Sequence, residues 1–398
     1  MTLLTDAAGL HDDLAGLRRD LHREPEVGLD LPRTQAKILA ALDGLPIEVT
    51  TGTALSSVTG VLRGGGSGPP VLLRADMDAL PVAERSGVAY ASQADGRMHA
   101  CGHDLHVAML VGAARLLAAR RAELAGDIVF MFQPGEEGRR GAAYMIDEGV
   151  LDAAGTRPVA AYGLHVASAL LPAGWFAVRG GSMMAGADVV RVTVRGVGGH
   201  ASQPHRAKDP IPAACEMVLA LQTYVTRTFD VFDPVVITVG TFHAGTTDNV
   251  IPSEARFEAS IRTFSAASHA KVRDGVVEVV SGIAAAHGLS VETEFPVSYP
   301  VTVNDEAEAE FAATRVSELF GADRLVRLPA PLAVAEDFSF VLNEVPGAFL
   351  FLGACPPDRD PATAPFNHSP EAAFDDDVLP AGAALLADLA LRRLAASS

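Results

Sequence analysis

The sequence predicts an α/β fold that is interrupted by a smaller α+β domain. In the first part of the chain, apolar runs typical of buried strands alternate with stretches of helical periodicity, as in an α/β sheet. The middle carries strands that alternate apolar and polar residues, and the C-terminal part returns to the first pattern. We therefore expect residues 1–183 and 297–398 to form a larger domain and residues 184–296 to form an inserted one.

The elements of the first segment follow from spacing. Leucines at 10, 14, 17 and 21 form one stripe of a helix, and a second helix over 34–42 ends before a glycine. Two strands flank the glycine-rich stretch 64–68, and the second, VLLRA at 71–75, is apolar enough to be covered on both faces. The next helix follows Cys101, and Asp104 is expected to cap its N-terminus.

Further along, two buried strands end in polar residues. The strand GDIVFMFQ at 126–133 leads into a Pro-Gly turn with Glu136 and Glu137, and the strand VAAYGLHV at 159–166 carries His165 near its end. Ligand-binding residues of α/β sheets lie at such strand ends. We therefore expect these side chains to meet at one edge of the sheet.

For the inserted domain the sequence predicts the order strand–helix–strand–strand–helix–strand, which is the order of a ferredoxin-like sandwich. Its two helices are predicted at 209–228 and 267–287, and a last helix of the larger domain at 379–395.

Charge and cysteine content exclude several classes of function. With 49 acidic against 31 basic residues and a net charge of −18, the chain is unsuited to nucleic acid, and no apolar run has the length of a membrane span. Its three cysteines are too few and too scattered for a disulfide framework, and Cys215 and Cys355 are interpreted as buried structural thiols. The N-terminus lacks the features of a secretory signal, so we expect a cytoplasmic protein.

The stretch RMHACGHDLH at 97–106 concentrates metal-binding residue types. Thiolate, imidazole and carboxylate are the ligands of borderline transition metals, and Cys101 and His103 lie two apart in a loop. Taken singly, Cys101 is more often a small buried hydrophobe, a pair of loop glutamates is usually solvated, and a strand histidine usually belongs to the core.

Together the candidates supply one cysteine, three histidines and two glutamates: Cys101, His103, Glu136, Glu137, His165 and His368. This set suffices for two metal ions with a shared ligand. Two such ions lower the pKa of a water molecule and polarise a carbonyl oxygen, and a carboxylate outside the ligand set then serves as general base.

Nine motifs spread over nearly the whole chain carry a family resemblance. In order they are DLHREPEVGL, RADMDALPV, MHACGHDLHVAMLVGAA, FQPGEEGRRGA, GLHV, GGHASQPHRAKDP, TDNVIPSEARFEASIRT, EDFSF and NHSPE. The sequence closely resembles the metal-dependent amidohydrolases typified by hippurate hydrolase, N-acyl-amino-acid amidohydrolase and indole-acetyl-amino-acid hydrolase, which are relatives of aminoacylases and zinc carboxypeptidases. The resemblance implies a zinc-peptidase-like catalytic domain with an inserted lid and dimerisation domain.

The same resemblance implies roles for the site residues. Cys101 would bridge two divalent ions (Mn, Zn, Co or Ni), with His103 and His165 completing one and Glu137 and His368 the other. Glu136 would be the general base, and Asp76 would orient a ligand imidazole. The wider clan bridges with an aspartate and has a histidine ligand where this chain has Arg74. That difference leaves the partner of Asp76 and the metal identity open.

Three residues of the inserted domain are implied to bind substrate. His200 resembles a lid histidine that stabilises the tetrahedral oxyanion, often from the partner subunit of a dimer. Asn249 and Arg262 resemble residues that grip the oxyanion or the free carboxylate of the amino acid, for which an arginine fork is well suited. His99 and His106 are interpreted as structural neighbours. The expected partners are a small N-acyl amino acid and further copies of the chain in a homodimer or larger homo-oligomer.

The predicted function is hydrolysis of the amide bond of N-acyl amino acids, hippurate-like or N-acetylated, by metal-activated water. A carboxypeptidase or dipeptidase would use the same site. A metal-binding or ligand-binding protein without activity is a further alternative, since fold does not determine function. Glu136 discriminates here, because a protein that only binds metal need not keep a carboxylate outside the ligand set.

Overall fold

The computed structural model describes residues 2–397. It contains helices α1 (Leu3–Ala8), α2 (His11–Arg23), α3 (Pro32–Leu42), α4 (His103–Ala118), α5 (Glu136–Arg139), α6 (Gly141–Asp147), α7 (Pro210–Thr228), α8 (Ala266–Ala286), α9 (Glu306–Phe320), α10 (Ser339–Leu342) and α11 (Leu379–Ala395). Its strands are β1 (Ile47–Thr51), β2 (Val58–Leu62), β3 (Gly68–Asp76), β4 (Gly126–Gln133), β5 (Ala160–Ala167), β6 (Phe176–Val178), β7 (Gly181–Met184), β8 (Gly186–Arg195), β9 (Gly199–His200), β10 (Val236–Ala244), β11 (Val250–Ile251), β12 (Glu254–Thr263), β13 (Ser290–Tyr299), β14 (Thr302–Asn304), β15 (Leu325–Arg327) and β16 (Gly347–Gly353).

The chain folds into two units. The larger contains the chain up to Met183, Val303–Ala330 and the chain from Asp337 onwards, and the smaller contains Met184–Thr302 and Pro331–Glu336. The smaller unit thus extends past the predicted end at 296, because β13 continues to Tyr299 along the edge of β8.

The larger unit is built on an eight-stranded sheet with the order β1-β2-β4-β3-β5-β16-β6-β15. The two strands around the glycine-rich turn are not neighbours, because β4 lies between them, antiparallel to β2 and parallel to β3. Since β3, β4 and β5 are parallel, their carboxyl ends share one edge of the sheet. That edge carries Asp76, Glu136 and Glu137, with His165 on β5.

Helices α4 and α11 pack together beside this sheet, and most of their side chains are buried. Glycines allow the close approach, since a Cβ at Gly382 would lie 1.9 Å from the sulfur of Met109. The predicted cap of α4 is wrong. The helix begins at His103 after Gly102, which has a φ of 90°, and Asp104 is instead fully buried against Arg18.

The smaller unit has a four-stranded antiparallel sheet with the order β10-β12-β8-β13 and two helices, α7 and α8. This topology is ferredoxin-like, as predicted. Alternate residues of β8 (Val190, Val192 and Val194) are buried in its core. Cys215 is exposed, which corrects its predicted burial: on α7 it is Ala214 and Met217 that contribute to the core, while Cys215 lies on the solvent side.

Within residues 2–397, none of the helices combines the length and the apolar character that crossing a membrane requires.

Candidate metal centre

The structure brings the five predicted ligands together. The Cys101 sulfur lies 3.3 Å from Nε2 of His165 and 3.2 Å from Nε2 of His368. Oε1 of Glu137 lies 3.1 Å from the same nitrogen of His368 and 4.0 Å from Nε2 of His103. Two overlapping triads, Cys101–His103–His165 and Cys101–Glu137–His368, each keep their donor atoms within 4.8 Å of one another. Cys101 is the residue common to both.

Backbone turns aim these side chains inward. Gly102 and Gly135 adopt positive φ angles of 90° and 71°, so the chain turns sharply before His103 and before Glu136. At Gly102 a Cβ would lie only 2.4 Å from a methyl of Val166, so glycine is required there for space as well. His368 itself has a φ of 73°, which non-glycine residues rarely adopt.

Asp78 holds the turn that carries the two glutamates. Its Oδ1 accepts a hydrogen bond from the backbone N–H of Glu136 (3.0 Å), and its Oδ2 accepts one from that of Glu137 (3.1 Å). The same Oδ1 lies 3.4 Å from Nδ1 of His103. One fully buried carboxylate therefore positions the predicted base and lies beside a predicted ligand.

Asp76, which was predicted to orient a ligand imidazole, has different partners. It accepts hydrogen bonds from Arg74 (2.8 Å) and His106, and its Oδ2 lies 3.5 Å from Nε2 of His103. The carboxylate nearest to Nδ1 of His103 belongs to Asp78, so the second aspartate of the motif lies beside this imidazole as well. The sequence contained one signal for this residue, namely a second acid two positions after the first at a strand end.

Hydrogen bonds determine which ring nitrogen of His165 and of His106 carries the proton. Nδ1 of His165 donates to the carbonyl of Val166 (2.8 Å), which leaves Nε2 without a proton and facing Cys101. His106 is different: its Nε2 accepts from the Val166 N–H (2.9 Å) and its Nδ1 donates to Asp76. Since both nitrogens of His106 are used, it is a structural neighbour of the site.

Burial and neighbouring carboxylates shift the pKa values of two predicted ligands, His103 and Cys101. Burial lowers the pKa of His103, but the carboxylates of Asp76 and Asp78 outweigh it and raise that pKa to about 10. Burial, together with Glu137 and Glu136, raises the pKa of the Cys101 thiol. A divalent ion would replace these protons, because metal ligands bind as thiolate and neutral imidazole.

Buried polar atoms without a hydrogen-bond partner also support a metal site. Among the described residues, the buried atoms without a hydrogen-bond partner include both ring nitrogens of His103, although carboxylate oxygens of Asp78 and Asp76 lie 3.4 and 3.5 Å from them. Buried polar atoms are normally paired. The donor set therefore fits two divalent ions.

The smaller unit places two of its three candidates together. His200 on β9 pairs with Val250 of β11, which follows Asn249, and both candidates line a surface cavity of about 730 Å³. Nδ1 of His200 accepts from the backbone N–H of Ser202 (3.1 Å), so in the neutral ring Nε2 carries the proton and is a donor.

Arg262 lies elsewhere in the smaller unit. It is on β12, eight residues from Glu254, which lines the same cavity as His200. At the rise of a β-strand this separation is about 26 Å. Arg262 is therefore not among the residues that line the cavity of His200 and Asn249.

Thiolate, imidazole and carboxylate donors gathered with one additional glutamate are residue types that metal-dependent hydrolases use. Residues 72–392 match the family described as Peptidase family M20/M25/M40. The chain belongs to this family, and it is a hydrolase of the amidohydrolase and peptidase class.

Three similar proteins illustrate the range of the family. The chain is 38% identical to thermostable carboxypeptidase 2 of Saccharolobus solfataricus, with 98% of both chains covered. It is 37% identical to IAA-amino acid hydrolase ILR1-like 5 of Arabidopsis thaliana, covering 97% of this chain and 88% of the other. A solved structure from Bacillus subtilis, a dinuclear metal binding peptidase from the M20 family, superposes with a TM-score of 0.81 at 32% identity, covering 97% of this chain and 99% of the other.

Proposed function

We propose that this protein hydrolyses the amide bond of N-acyl amino acids. In this proposal Cys101, His103, Glu137, His165 and His368 would hold two divalent metal ions, with Cys101 as the residue common to both triads. The observation that carries it is the position of the Cys101 sulfur, within 3.3 Å of nitrogen donors from both halves of the site. The similar IAA-amino acid hydrolase supports the choice of substrate class.

Glu136 is the proposed general base. When bound, the two ions would lower the pKa of a water molecule and polarise the acyl carbonyl. Glu136 accepts the proton of the attacking water and then donates it to the leaving amine. Its buried position and the bond from its backbone N–H to Asp78 support this role, because a base must be held at a constant distance from the proton it removes.

The residues of the smaller unit are proposed to bind substrate across a homodimer. His200 donates from Nε2 to the oxyanion, assisted by Asn249, and Arg262 binds the carboxylate of the amino acid. Contributions from two chains to each site are supported by the position of Arg262, which lies about 26 Å along β12 from Glu254 and outside the cavity that His200 and Asn249 line.

Amine release from a panel of substrates tests the proposed function. The panel contains hippurate, N-acetyl-methionine and unblocked dipeptides, and the metal-free protein is reloaded separately with manganese, cobalt, nickel and zinc. We expect metal-dependent release from the acyl amino acids, which Glu136→Gln abolishes. The control Glu123→Gln removes an exposed glutamate and should leave turnover unchanged. Two bound ions per chain without turnover of any substrate would contradict the proposal.

Complementation tests the dimer. A Glu136→Gln chain and a His200→Ala chain are each expected to be inactive. If His200 acts in the partner's site, unfolding and refolding an equal mixture creates heterodimers with one intact site, and about a quarter of the wild-type activity returns. Activity that stays at the level of the separate variants, although heterodimers have formed, would contradict contributions from two chains.

Cleavage of peptides at the C-terminus is the second candidate function. The similarity to thermostable carboxypeptidase 2 favours it, and the same metal ligands and base would serve. The unblocked dipeptides in the panel distinguish it: faster release from these than from hippurate and N-acetyl-methionine would assign the protein to the peptidases.

A further inference from the structure

One side chain, Asn367, is hydrogen-bonded to several segments of the metal centre. Its Nδ2 donates to the carbonyl oxygens of Cys101 (2.9 Å) and Val166 (3.0 Å). Its Oδ1 accepts from the backbone N–H (2.9 Å) and the hydroxyl (3.1 Å) of Ser168. Asn367 therefore uses both of its donor protons, and its oxygen accepts a backbone N–H and shares the Ser168 hydroxyl with the carbonyl of Pro365, 2.9 Å from that hydroxyl. These bonds hold the amide in one orientation.

The Val166 carbonyl connects this amide to a proposed ligand. The oxygen that accepts from Asn367 also accepts from Nδ1 of His165 (2.8 Å). That second bond keeps the proton on Nδ1 and leaves Nε2 free to face Cys101. A displacement of this carbonyl would therefore move the donor nitrogen of His165.

The next residue along the chain, His368, contacts Cys101 and Glu137 through its Nε2, at 3.2 and 3.1 Å. Its side chain is 54% exposed, and its backbone has a φ of 73°. Its backbone N–H donates to the carbonyl of Ala100 (2.9 Å), which ties its loop to the loop of Cys101. Because the side chain of His368 is more than half exposed, hydrogen bonds of its own loop contribute to its position, and four of these involve the side chain of the neighbouring Asn367.

We propose that Asn367 is a positioning residue that keeps Cys101, His165 and His368 at the spacing that two ions with a shared thiolate require. This inference rests on the proposed function, because it takes these three residues as ligands. Substitution of groups that orient metal ligands typically weakens metal binding about 10- to 100-fold. A residue that merely tied down a loop would change the stability of the metal-free protein instead.

Two variants separate these roles. Asn367→Ala removes the bonds to the carbonyls of Cys101 and Val166 together with those from Ser168. The matched control, Ser168→Ala, removes one hydroxyl from the same cluster and leaves both bonds donated by Asn367. Cobalt is the probe, because its affinity can be measured by competition with a coloured chelator and its bond to a thiolate gives a charge-transfer absorption band.

We expect Asn367→Ala to bind cobalt about 10- to 100-fold more weakly and to show an altered charge-transfer band at saturating cobalt. Ser168→Ala should resemble the wild type in both measurements. Asn367→Ser retains one donor, so its cobalt affinity should lie between those of the wild type and Asn367→Ala. It replaces the alanine variant if that variant does not fold.

Wild-type affinity and band in the Asn367 variants would overturn the inference. Equal losses of affinity in the Asn367 and Ser168 variants, with equal falls in the melting temperature of the metal-free protein, would also overturn it, because they indicate loop stability alone. A wild-type protein that binds fewer than two cobalt ions per chain would overturn the metal centre itself and this inference with it.

Discussion

Replacing Asp78 with asparagine should impair catalysis although this residue is not among the proposed ligands. Its two carboxylate oxygens each accept one backbone N–H of the Glu136–Glu137 turn, at 3.0 and 3.1 Å. Asparagine keeps one acceptor and turns an NH₂ group toward the other N–H, so one bond is lost. A hydrogen bond to a charged group contributes about 1.5–3 kcal/mol, which corresponds to a loss of about 10- to 150-fold in kcat/KM if all of it is felt in the transition state.

The assay compares Asp78→Asn with Asp43→Asn, which alters an exposed aspartate. Turnover is measured at saturating metal, so that weaker metal binding is separated from a displaced base. We expect kcat to stay low in Asp78→Asn at any metal concentration, because the turn that carries Glu136 keeps only one of its two bonds to residue 78, while Asp43→Asn behaves as wild type. An Asp78→Asn enzyme with wild-type kcat/KM would refute the role assigned to this carboxylate.

Three further predictions concern the metal bridge, a buried ion pair and acid stability. Cys101→Ser should lower metal affinity and activity together, since a neutral hydroxyl is a poor bridge; full metal content by elemental analysis with full activity would remove Cys101 from the site. Asp104→Asn removes the nearest carboxylate from a buried guanidinium, which keeps Asp376 at 3.1 Å, and should cost about 1.5–3 kcal/mol in urea unfolding, against less than about 1 kcal/mol for the exposed Asp13→Asn. Burial raises the pKa of Glu84, but the hydrogen bond from His22 and others outweigh it and lower the pKa from 4.5 to about 2. Its stabilisation is therefore complete above pH 4.5 and lost as the pH falls toward 2, so the stability difference between wild type and Glu84→Gln should vanish over that range; a difference independent of pH would contradict this.

Elements with strong local signals could be predicted closely from the sequence. The helix predicted at 209–228 is α7, Pro210–Thr228, because Asp209 caps it and a proline occupies its first position. The last helix, predicted at 379–395, spans those residues. The candidate metal ligands could also be selected from the sequence, because cysteine, histidine and glutamate occur at strand ends and in turns within short motifs.

Features that depend on distant partners could not be predicted. In the sequence, Asp104 stands before an apolar run, as a helix cap would. Its partner Arg18 lies far away in the chain, and no local spacing reveals that ion pair. The insertion of β4 between β2 and β3 is likewise a matter of long-range pairing. The hydrogen bonds of Asp78 and Asn367 with backbone groups could not be predicted either, because a backbone partner does not reveal itself by residue type.

Anomalous X-ray diffraction from crystals of the zinc-loaded protein tests the central claim most directly. The account predicts two zinc peaks per chain, both about 2.3 Å from the sulfur of Cys101, one bound also by His103 and His165 and the other by Glu137 and His368. A single peak, or two peaks that do not share Cys101, would contradict it.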